Sequence, residues 1–371
     1  EVQTAKTALI GTKEAVFIGT IALLLVIIVL QGRPKKEIKE EWLFAVFSKK
    51  EVRLFERISE NGKVKIEFGD KFSGTKNDKQ RLEFVAAGTR PNQLFLTEAF
   101  ERNVEWIKQV MNWFREYLVI IFPAAEFGRL ILFAQKDIQF KNFLVDILRL
   151  TDTGIDNIQI NEMEFDFIKN LPDEMSENER QAIQALLDKD PDHHLEFNKK
   201  HQFIAIQKKE DGATKFVSMG TQHKRSDGTT VNFDTRDESD GTHRMIHLIP
   251  ALYDLQSADK LYVIDELDRS LHPLLSRLII ESFLKMIETQ KSKGQIILTT
   301  HETCLLDLEI LRQDEIWFIE KDKENSSQIT SLADFNIRGD LKISKGYING
   351  RFGAIPFLGN IEQLFLQGDK E

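Results

Sequence analysis

A short apolar run that ends in two acidic residues is the strongest chemical signal in the chain. Residues 261–264 read Leu-Tyr-Val-Ile, and Asp265 and Glu266 follow directly. Four consecutive apolar residues predict a buried strand, and the ligands of open α/β sheets gather at the carboxyl ends of strands. An aspartate there can hold Mg²⁺ through its water shell, and the next glutamate can orient and deprotonate an attacking water. The alternative is that both acids are only the solvated end of a strand.

Two further segments favour the chemical interpretation. Residues 295–301 predict a second apolar strand, which ends in Thr-Thr-His301. A histidine in that position can donate a hydrogen bond to a terminal phosphate oxygen, although His301 taken alone would be a structural histidine. Upstream, Ser239 suits the N-cap of a predicted helix, and Gly241 lets a phosphate approach the backbone closely. The free amides of a helix start favour an anion, while simple capping explains the same residues without a ligand.

The order of these segments resembles the C-terminal half of an ABC-type ATPase. It reads Ser-Asp-Gly-Thr at 239–242, Leu-Asp-x-x-Leu-His-Pro at 267–273 and strand-Thr-Thr-His at 295–301. The pattern is closer to chromosome-maintenance, RecF-like and OLD-like proteins than to transporters. Glu-Ser-Asp-Gly-Thr and the tail at 346–356 are similar to small bacterial AAA-family ATPases of abortive-infection, retron and Septu-type phage-defence operons.

Two N-terminal segments, 41–44 and 90–96, also resemble that group. The resemblance therefore covers about residues 41–357, and it is specific only in 237–301.

The resemblance implies a role for each matching residue near the strand ends. Asp265 is similar to the Walker B aspartate that organises Mg²⁺, and Glu266 is similar to the catalytic glutamate. His301 is similar to the switch histidine. Asp268 is similar to the D-loop acid that communicates across the dimer.

The helix start is similar to the signature loop, which contacts the γ-phosphate of ATP held by the opposite subunit. Ser239, Gly241 and Thr242 would supply these contacts. Asp240 replaces a glycine of the transporter signature, and Thr242-His243 replace its usual Gly-Gln continuation. This departure fits the defence subgroup.

The resemblance also requires a P-loop early in the chain, whose amides would cradle the phosphates. The nearest segment is 69–76 (Gly-Asp-Lys-Phe-Ser-Gly-Thr-Lys), where Lys and Thr are reversed. No helix pattern follows it, so we predict a hairpin turn. We expect that the true P-loop lies outside this sequence, which begins with Glu1, or is garbled before about residue 40. The remaining explanation is a nucleotide-independent scaffold.

The elements that must position these residues form an α/β pattern. Residues 41–72 predict an antiparallel sheet with a hairpin at Asn61-Gly62, and 201–234 predict further strands. Helices are predicted over 97–121 and about 138–149, and 172–200 are predicted to be a helix plus loops. From 241 onward, alternating helices and apolar strands predict a parallel sheet covered by helices.

We therefore predict an α/β, ABC-ATPase-like fold with a mixed sheet, an N-terminal antiparallel β part, a helical insert and a C-terminal parallel αβ core. The predicted divisions are an N-terminal β-rich part of the ATPase lobe at 1–96, a mostly helical insert at 97–200 and a C-terminal ATPase lobe at 201–371.

Composition and charge limit the cellular compartment and the ligands that can be expected. Of 371 residues one is cysteine, Cys304, which excludes a disulfide framework within the chain and makes the cytoplasm the default compartment. The net charge of −9 disfavours nonspecific nucleic-acid binding by the whole surface. Residues 15–32 carry no charge and reach the lower length limit of a membrane span, but we expect buried strands there.

Two charged features have ordinary explanations. Basic clusters recur within 199–225 and could form a patch for DNA or RNA, but exposed strand ends are the favoured explanation. The pair His193-His194 lies in an acidic stretch, and we expect a solvated loop there because metal sites need three or four spaced ligands.

We predict an ATPase that uses ATP and Mg²⁺, works as a head-to-tail dimer or higher oligomer, and acts as a sensor or regulator in anti-phage defence. Only 70 residues follow His301, so we expect the effector nuclease to be a separate protein. No sustained heptads occur, so we expect no coiled-coil arm. The alternatives are a non-hydrolysing scaffold with a degenerate ATPase fold, a DNA-repair or chromosome-maintenance ATPase that binds nucleic acid, and an ATPase tethered to a membrane through 15–32.

Overall fold

The computed structural model describes most of the chain in thirteen stretches. These are residues 4–10, 38–47, 50–60, 63–69, 76–165, 175–189, 194–199, 201–208, 213–256, 259–290, 293–324, 326–337 and 342–355. The apolar run at 15–32 and His193 lie outside the described residues. None of the described helices has the length and hydropathy that a membrane crossing requires. The chain divides into two compact units, residues 1–120 and 121–371, and the three-part division stays a prediction.

The first unit combines a sheet with helices. Its strands are β1 (Thr4–Ile10), β2 (Glu40–Phe47), β3 (Lys50–Glu60) and β4 (Lys63–Phe68), and its helices are α1 (Lys76–Gly88), α2 (Phe95–Glu101) and α3 (Glu105–Glu116). The sheet order is β1-β2-β3-β4, with β1 parallel to β2 and the other pairs antiparallel. Glu60 pairs with Lys63, which confirms the predicted hairpin between β3 and β4.

Two expectations for this unit are wrong. The expectation that no helix follows the segment 69–76 is wrong, because helix α1 begins at Lys76. Gly69 continues the sheet, because its amide donates to the Leu54 carbonyl (2.9 Å). A Cβ added at this position would clash with the Arg53 carbonyl oxygen. Residues 70–75 lie outside the described residues. The single helix predicted over 97–121 is divided into α2 and α3, because Asn103 has a left-handed backbone (φ 56°) between them.

A buried ion pair links the two N-terminal segments of the family resemblance. The Glu41 carboxylate accepts hydrogen bonds from the amides of Phe95 (2.7 Å) and Leu96 (3.0 Å) at the start of α2. Arg57 lies with its Nε 3.9 Å from Glu41 and is fully buried. It donates to three backbone carbonyls, those of Ile38, Arg90 and Pro91. Both segments therefore join the sheet to α2.

The second unit contains an antiparallel sheet with helices. Strand β5 (Leu118–Ile121) lies at the division between the units. The strands that follow are β6 (Ile155–Glu164), β7 (His194–Lys199), β8 (Gln202–Lys208), β9 (Thr214–Lys224) and β10 (Thr230–Asp234). Their order is β10-β9-β8-β7, with β6 also paired to β9. The helices are α4 (Leu130–Lys136), α5 (Ile138–Leu150), as predicted, and α6 (Glu177–Lys189).

A parallel sheet follows, as the helix–strand alternation predicts. Helix α7 (Asp240–Asp254) precedes β11 (Leu261–Ile264), and α8 (Pro273–Gln290) connects β11 to β12 (Gln295–Leu298). The order is β12-β11-β5, and β11 and β12 are parallel. All four residues of β11 are buried. The chain continues through the antiparallel pair β13 (Trp317–Lys321) and β14 (Ser327–Ser331) to α9 (Ile343–Ile348).

The predicted fold class is confirmed: the chain combines an N-terminal antiparallel sheet, several helices and a parallel sheet, consistent with an AAA/ABC ATPase-like fold. Several strands were not predicted individually, among them β5, β6 and β7. Strand β5 occupies the last residues of the range 97–121 that was predicted to be one helix. Strand β7 occupies part of the range 172–200 that was interpreted as a helix plus loops, and it begins at His194, which was expected to lie in a solvated loop.

Candidate functional site

The candidate site lies where the parallel strands β11 and β12 end. Ile264 is paired with Leu298, so Asp265 and Thr299 each follow directly after their strands at the same edge of the sheet. Both residues are partly buried. This edge is where open α/β sheets bind their ligands.

Thr299 holds the four residues at the end of β11 in place. Its amide donates to the Ile264 carbonyl (3.0 Å), and its carbonyl accepts from the Leu267 amide (3.0 Å). Between these bonds, its hydroxyl donates to Asp265 Oδ1 (2.7 Å) and accepts from the Glu266 amide (2.8 Å). Thr299 was not among the site residues predicted from the sequence. The signal that could have identified it is its position, one residue beyond a strand of the same length as β11.

Glu266 begins a tight turn with a left-handed backbone. Its φ is 47°, and Ser270 at the other end of the turn has φ 62°. A left-handed conformation is uncommon for residues other than glycine, asparagine and aspartate, so surrounding contacts must hold it. Within the turn, the Arg269 amide donates to the Glu266 carbonyl (3.1 Å).

Asp268 connects this turn to the residues after β12. Its two carboxylate oxygens lie 3.3 and 3.4 Å from the His301 amide nitrogen, which donates to them. The His301 side chain is exposed. The structure therefore brings Asp265, Glu266, Asp268 and His301 to one edge of the parallel sheet.

Ser239 caps helix α7, as predicted. Its hydroxyl accepts from the Thr242 amide (3.1 Å) and lies 3.0 Å from the Thr242 hydroxyl. Ser239 is exposed, whereas Thr242 is buried. Thr242 therefore uses its amide and hydroxyl within the cap, and Ser239 and Gly241 are the members of the predicted set that lie nearer the surface.

The start of α7 packs directly against the turn after β11. A Cβ added at Gly241 would lie 2.8 Å from the Ser270 carbonyl oxygen, so only glycine allows this close approach. Arg244, in the second turn of α7, donates to the Glu266 carbonyl (3.1 Å) and the Asp265 carbonyl (3.4 Å). All the predicted site residues thus belong to one cluster within the second unit.

The residue before the cap is also anchored. The Glu238 carboxylate accepts from the Thr221 hydroxyl and lies 2.8 Å from His223 Nε2. Both partners belong to β9. Glu238 therefore attaches the start of α7 to the antiparallel sheet.

Two histidines further along α7 are held in the neutral form. Burial lowers the pKa of His243, with a further contribution from His201, whose ring stacks on it at 4.1 Å. Burial also lowers the pKa of His247 to about 4. The neutral His247 ring accepts a hydrogen bond at Nδ1 from the Phe127 amide (3.0 Å). These imidazoles pack α7 against its neighbours.

The donor atoms of the site suit Mg²⁺ bound together with a phosphate substrate. Carboxylate oxygens such as those of Asp265 and Glu266 are the hard ligands that Mg²⁺ prefers. No group of three or more metal-ligating side chains occurs among the described residues. Mg²⁺ usually binds through one or two protein carboxylates plus water and substrate phosphates. No P-loop lies wholly within the described stretches.

Comparison with known proteins gives a family. No curated protein matches the chain. The model of one protein family, described as an AAA domain, putative AbiEii toxin, Type IV TA system, matches residues 32–307, which include every residue of the candidate site. The chain therefore belongs to this family of AAA/ABC-like ATPases, an abortive-infection-like group.

Proposed function

We propose that the chain is an ABC-type ATPase that hydrolyses ATP at the edge of the parallel sheet. The observation that carries this proposal is the set of hydrogen bonds through which Thr299 fixes Asp265 beside Glu266. Asp268 brings His301 to the same edge. A solvated strand end would not require this degree of positioning.

Each predicted site residue at the strand ends has a distinct task in the proposal. Asp265 would hold Mg²⁺, which when bound neutralises charge on the phosphates. Glu266 orients the attacking water and accepts its proton. His301 donates a hydrogen bond to the phosphate oxygen on which negative charge develops. The exposed side chain of His301 is accessible for that contact.

The second half of the proposal is a head-to-tail arrangement of two copies. Ser239 and Gly241 of one copy would face the γ-phosphate held by the other, with Thr242 supporting the cap and Asp268 relaying contact across the dimer. The exposure of Ser239 at a helix start supports this, because free amides there favour an anion.

For the biological role, we propose a cytoplasmic sensor or regulator in anti-phage defence that controls a separate effector, such as a nuclease. The family description supports this role through its reference to a putative toxin and a toxin–antitoxin system.

Glu266→Gln tests the catalytic assignment, because the amide keeps the shape of the side chain and removes the base. We expect ATP turnover to fall at least about 100-fold, the lower end of the usual contribution of a general base. ATP-dependent dimers should persist. Glu309→Gln, at an exposed position, is the matched control and should keep the wild-type rate. Wild-type turnover in Glu266→Gln would refute the role.

A non-hydrolysing scaffold is the second candidate, favoured because the sequence contains no G-x-x-x-x-G-K-S/T motif. It predicts that the wild-type chain shows no ATP turnover at all, in contrast to the enzyme proposal.

A further inference from the structure

The buried side chain of Arg244 has contacts that the proposed function does not use. Arg244 lies on α7, five residues after Ser239. Its Nη2 donates to the carbonyls of Asp265 (3.4 Å) and Glu266 (3.1 Å). Its Nη1 donates to the carbonyls of Phe122 (3.4 Å) and Pro123 (3.3 Å), which follow β5. One guanidinium therefore joins α7 to the ends of two neighbouring strands.

The acceptors of Arg244 are backbone carbonyls. All four hydrogen bonds of Arg244 given above have main-chain oxygens as acceptors. Among the residues that the structure describes, no carboxylate lies within ion-pair distance of its guanidinium. A guanidinium is planar, and its donors point in fixed directions. Such a group orients the backbone that it binds, more than a flexible ammonium would. The strongest contact is with Glu266, whose left-handed backbone needs support from its surroundings.

A second contact joins the same two segments. The Ser270 carbonyl oxygen lies so close to Gly241 that a Cβ there would be 2.8 Å away. The start of α7 therefore touches the turn after β11 at both ends of that turn, through Gly241 at Ser270 and through Arg244 at Glu266. Because of these two contacts, we expect that a displacement of α7 also displaces the turn.

We propose that Arg244 is a positioning residue that links the Ser239–Gly241 segment to Asp265 and Glu266 of the same chain. This inference rests on the proposed function. In a head-to-tail dimer the two segments would serve different nucleotides, so the linkage connects one ATP site to the other. Arg244 itself touches neither nucleotide.

Two variants test the linkage. Arg244→Lys keeps the charge but loses the fork of donors, and Arg244→Met keeps the approximate length and loses all donors. The matched controls are Arg236→Lys and Arg236→Met, at an exposed arginine just upstream of Ser239 that pairs with Asp234. Arg244→Lys keeps the test valid if Arg244→Met fails to fold.

The first measurement is steady-state ATP hydrolysis. We expect kcat to fall at least about 10-fold in Arg244→Lys and further in Arg244→Met, while KM stays within about twofold, because Glu266 is misplaced but substrate contacts remain. A merely structural role would instead lower the fraction of active protein, so the melting temperature would fall in parallel and cooling would restore the rate.

The second measurement is hydrogen exchange, which does not depend on activity. The amides of Glu266 and Leu267, which donate to Thr299, and those of Thr242 and His243, which donate to Ser239, should all exchange faster in both Arg244 variants. Amides of β8 and β9 should be unchanged. Faster exchange at only one of the two segments, or an unchanged kcat in Arg244→Lys, would overturn the inference. An inactive wild-type chain would refute the proposed function instead, and exchange would still decide on the linkage.

Discussion

The hydroxyl of Thr299 is the most direct place to test the geometry of the site. Thr299→Val removes that hydroxyl and keeps the shape of the side chain. The change deletes the bond to the Asp265 carboxylate (2.7 Å) and leaves the Glu266 amide (2.8 Å) without its acceptor. The backbone bonds of Thr299 to Ile264 and Leu267 remain.

The size of the effect follows from the two bonds. A hydrogen bond to a charged group contributes about 1.5–3 kcal/mol, and a neutral one about 0.5–1.5 kcal/mol. We expect the free energy of unfolding to fall by about 2–4 kcal/mol. If the whole of this free energy is lost from the positioning of Glu266 in the transition state, each 1.4 kcal/mol corresponds to about a tenfold change, so kcat should fall about 30- to 700-fold.

Urea denaturation gives the free energy of unfolding, and steady-state ATP hydrolysis gives kcat. Thr299→Ser keeps the hydroxyl and should retain most of both values. Thr300→Val is the matched control, because the Thr300 hydroxyl accepts only from the nearby Glu302 amide among its described bonds (3.0 Å). If Thr299→Val and Thr300→Val behave alike in both assays, Thr299 does not position the acids and the reasoning fails.

Two further changes test the packing of α7. Gly241→Ala places a Cβ 2.8 Å from the Ser270 carbonyl oxygen, so overpacking should lower the free energy of unfolding, measured with urea, by about 1–3 kcal/mol. Gly128→Ala is the control, because no atom lies within 4 Å of a Cβ added there. Equal effects of the two substitutions would contradict the close approach at Gly241. Burial lowers the pKa of His247 to about 4, below its ordinary 6.5, so its stabilising contribution is present above pH 6.5 and is lost as the pH falls toward 4. Between pH 7 and pH 5 the free energy of unfolding of the wild-type protein should fall by about 2 kcal/mol through His247. This fall should be smaller in His247→Gln and unchanged in His272→Asn. Identical pH profiles for the wild type and both variants would contradict the assignment to His247.

Local sequence patterns were sufficient for much of the fold. The apolar run of β11, the helix start at Ser239 and the hairpin between β3 and β4 are all visible in a few adjacent residues, and the structure confirms them. Strand β6 was not predicted because only Ile155 and Ile158 are buried in it, and most of its remaining positions are polar. Its strand conformation depends on pairing with β9, some sixty residues away in the chain.

Some residues of the candidate site could be predicted from local sequence patterns, and others could not. Asp265, Glu266 and His301 could be identified because each directly follows an apolar run, although their roles stay predictions. Arg244 could not be identified from the sequence. An arginine on a helix is usually solvated, and the four carbonyls that surround this one come from segments more than twenty and more than one hundred residues away. Likewise, periodicity could not reveal the left-handed Asn103 that divides the helix predicted over 97–121.

The left-handed backbone at Glu266 has a practical consequence for engineering this protein. Replacing positive-φ residues by glycine is a common way to relieve backbone strain, and Arg129 (φ 65°) and Asp152 (φ 53°) are suitable positions. The same exchange at Glu266 would relax the turn and delete the proposed base together. A thermostabilisation programme should therefore exclude this position, and a library screened by melting temperature alone would enrich catalytically silent clones there.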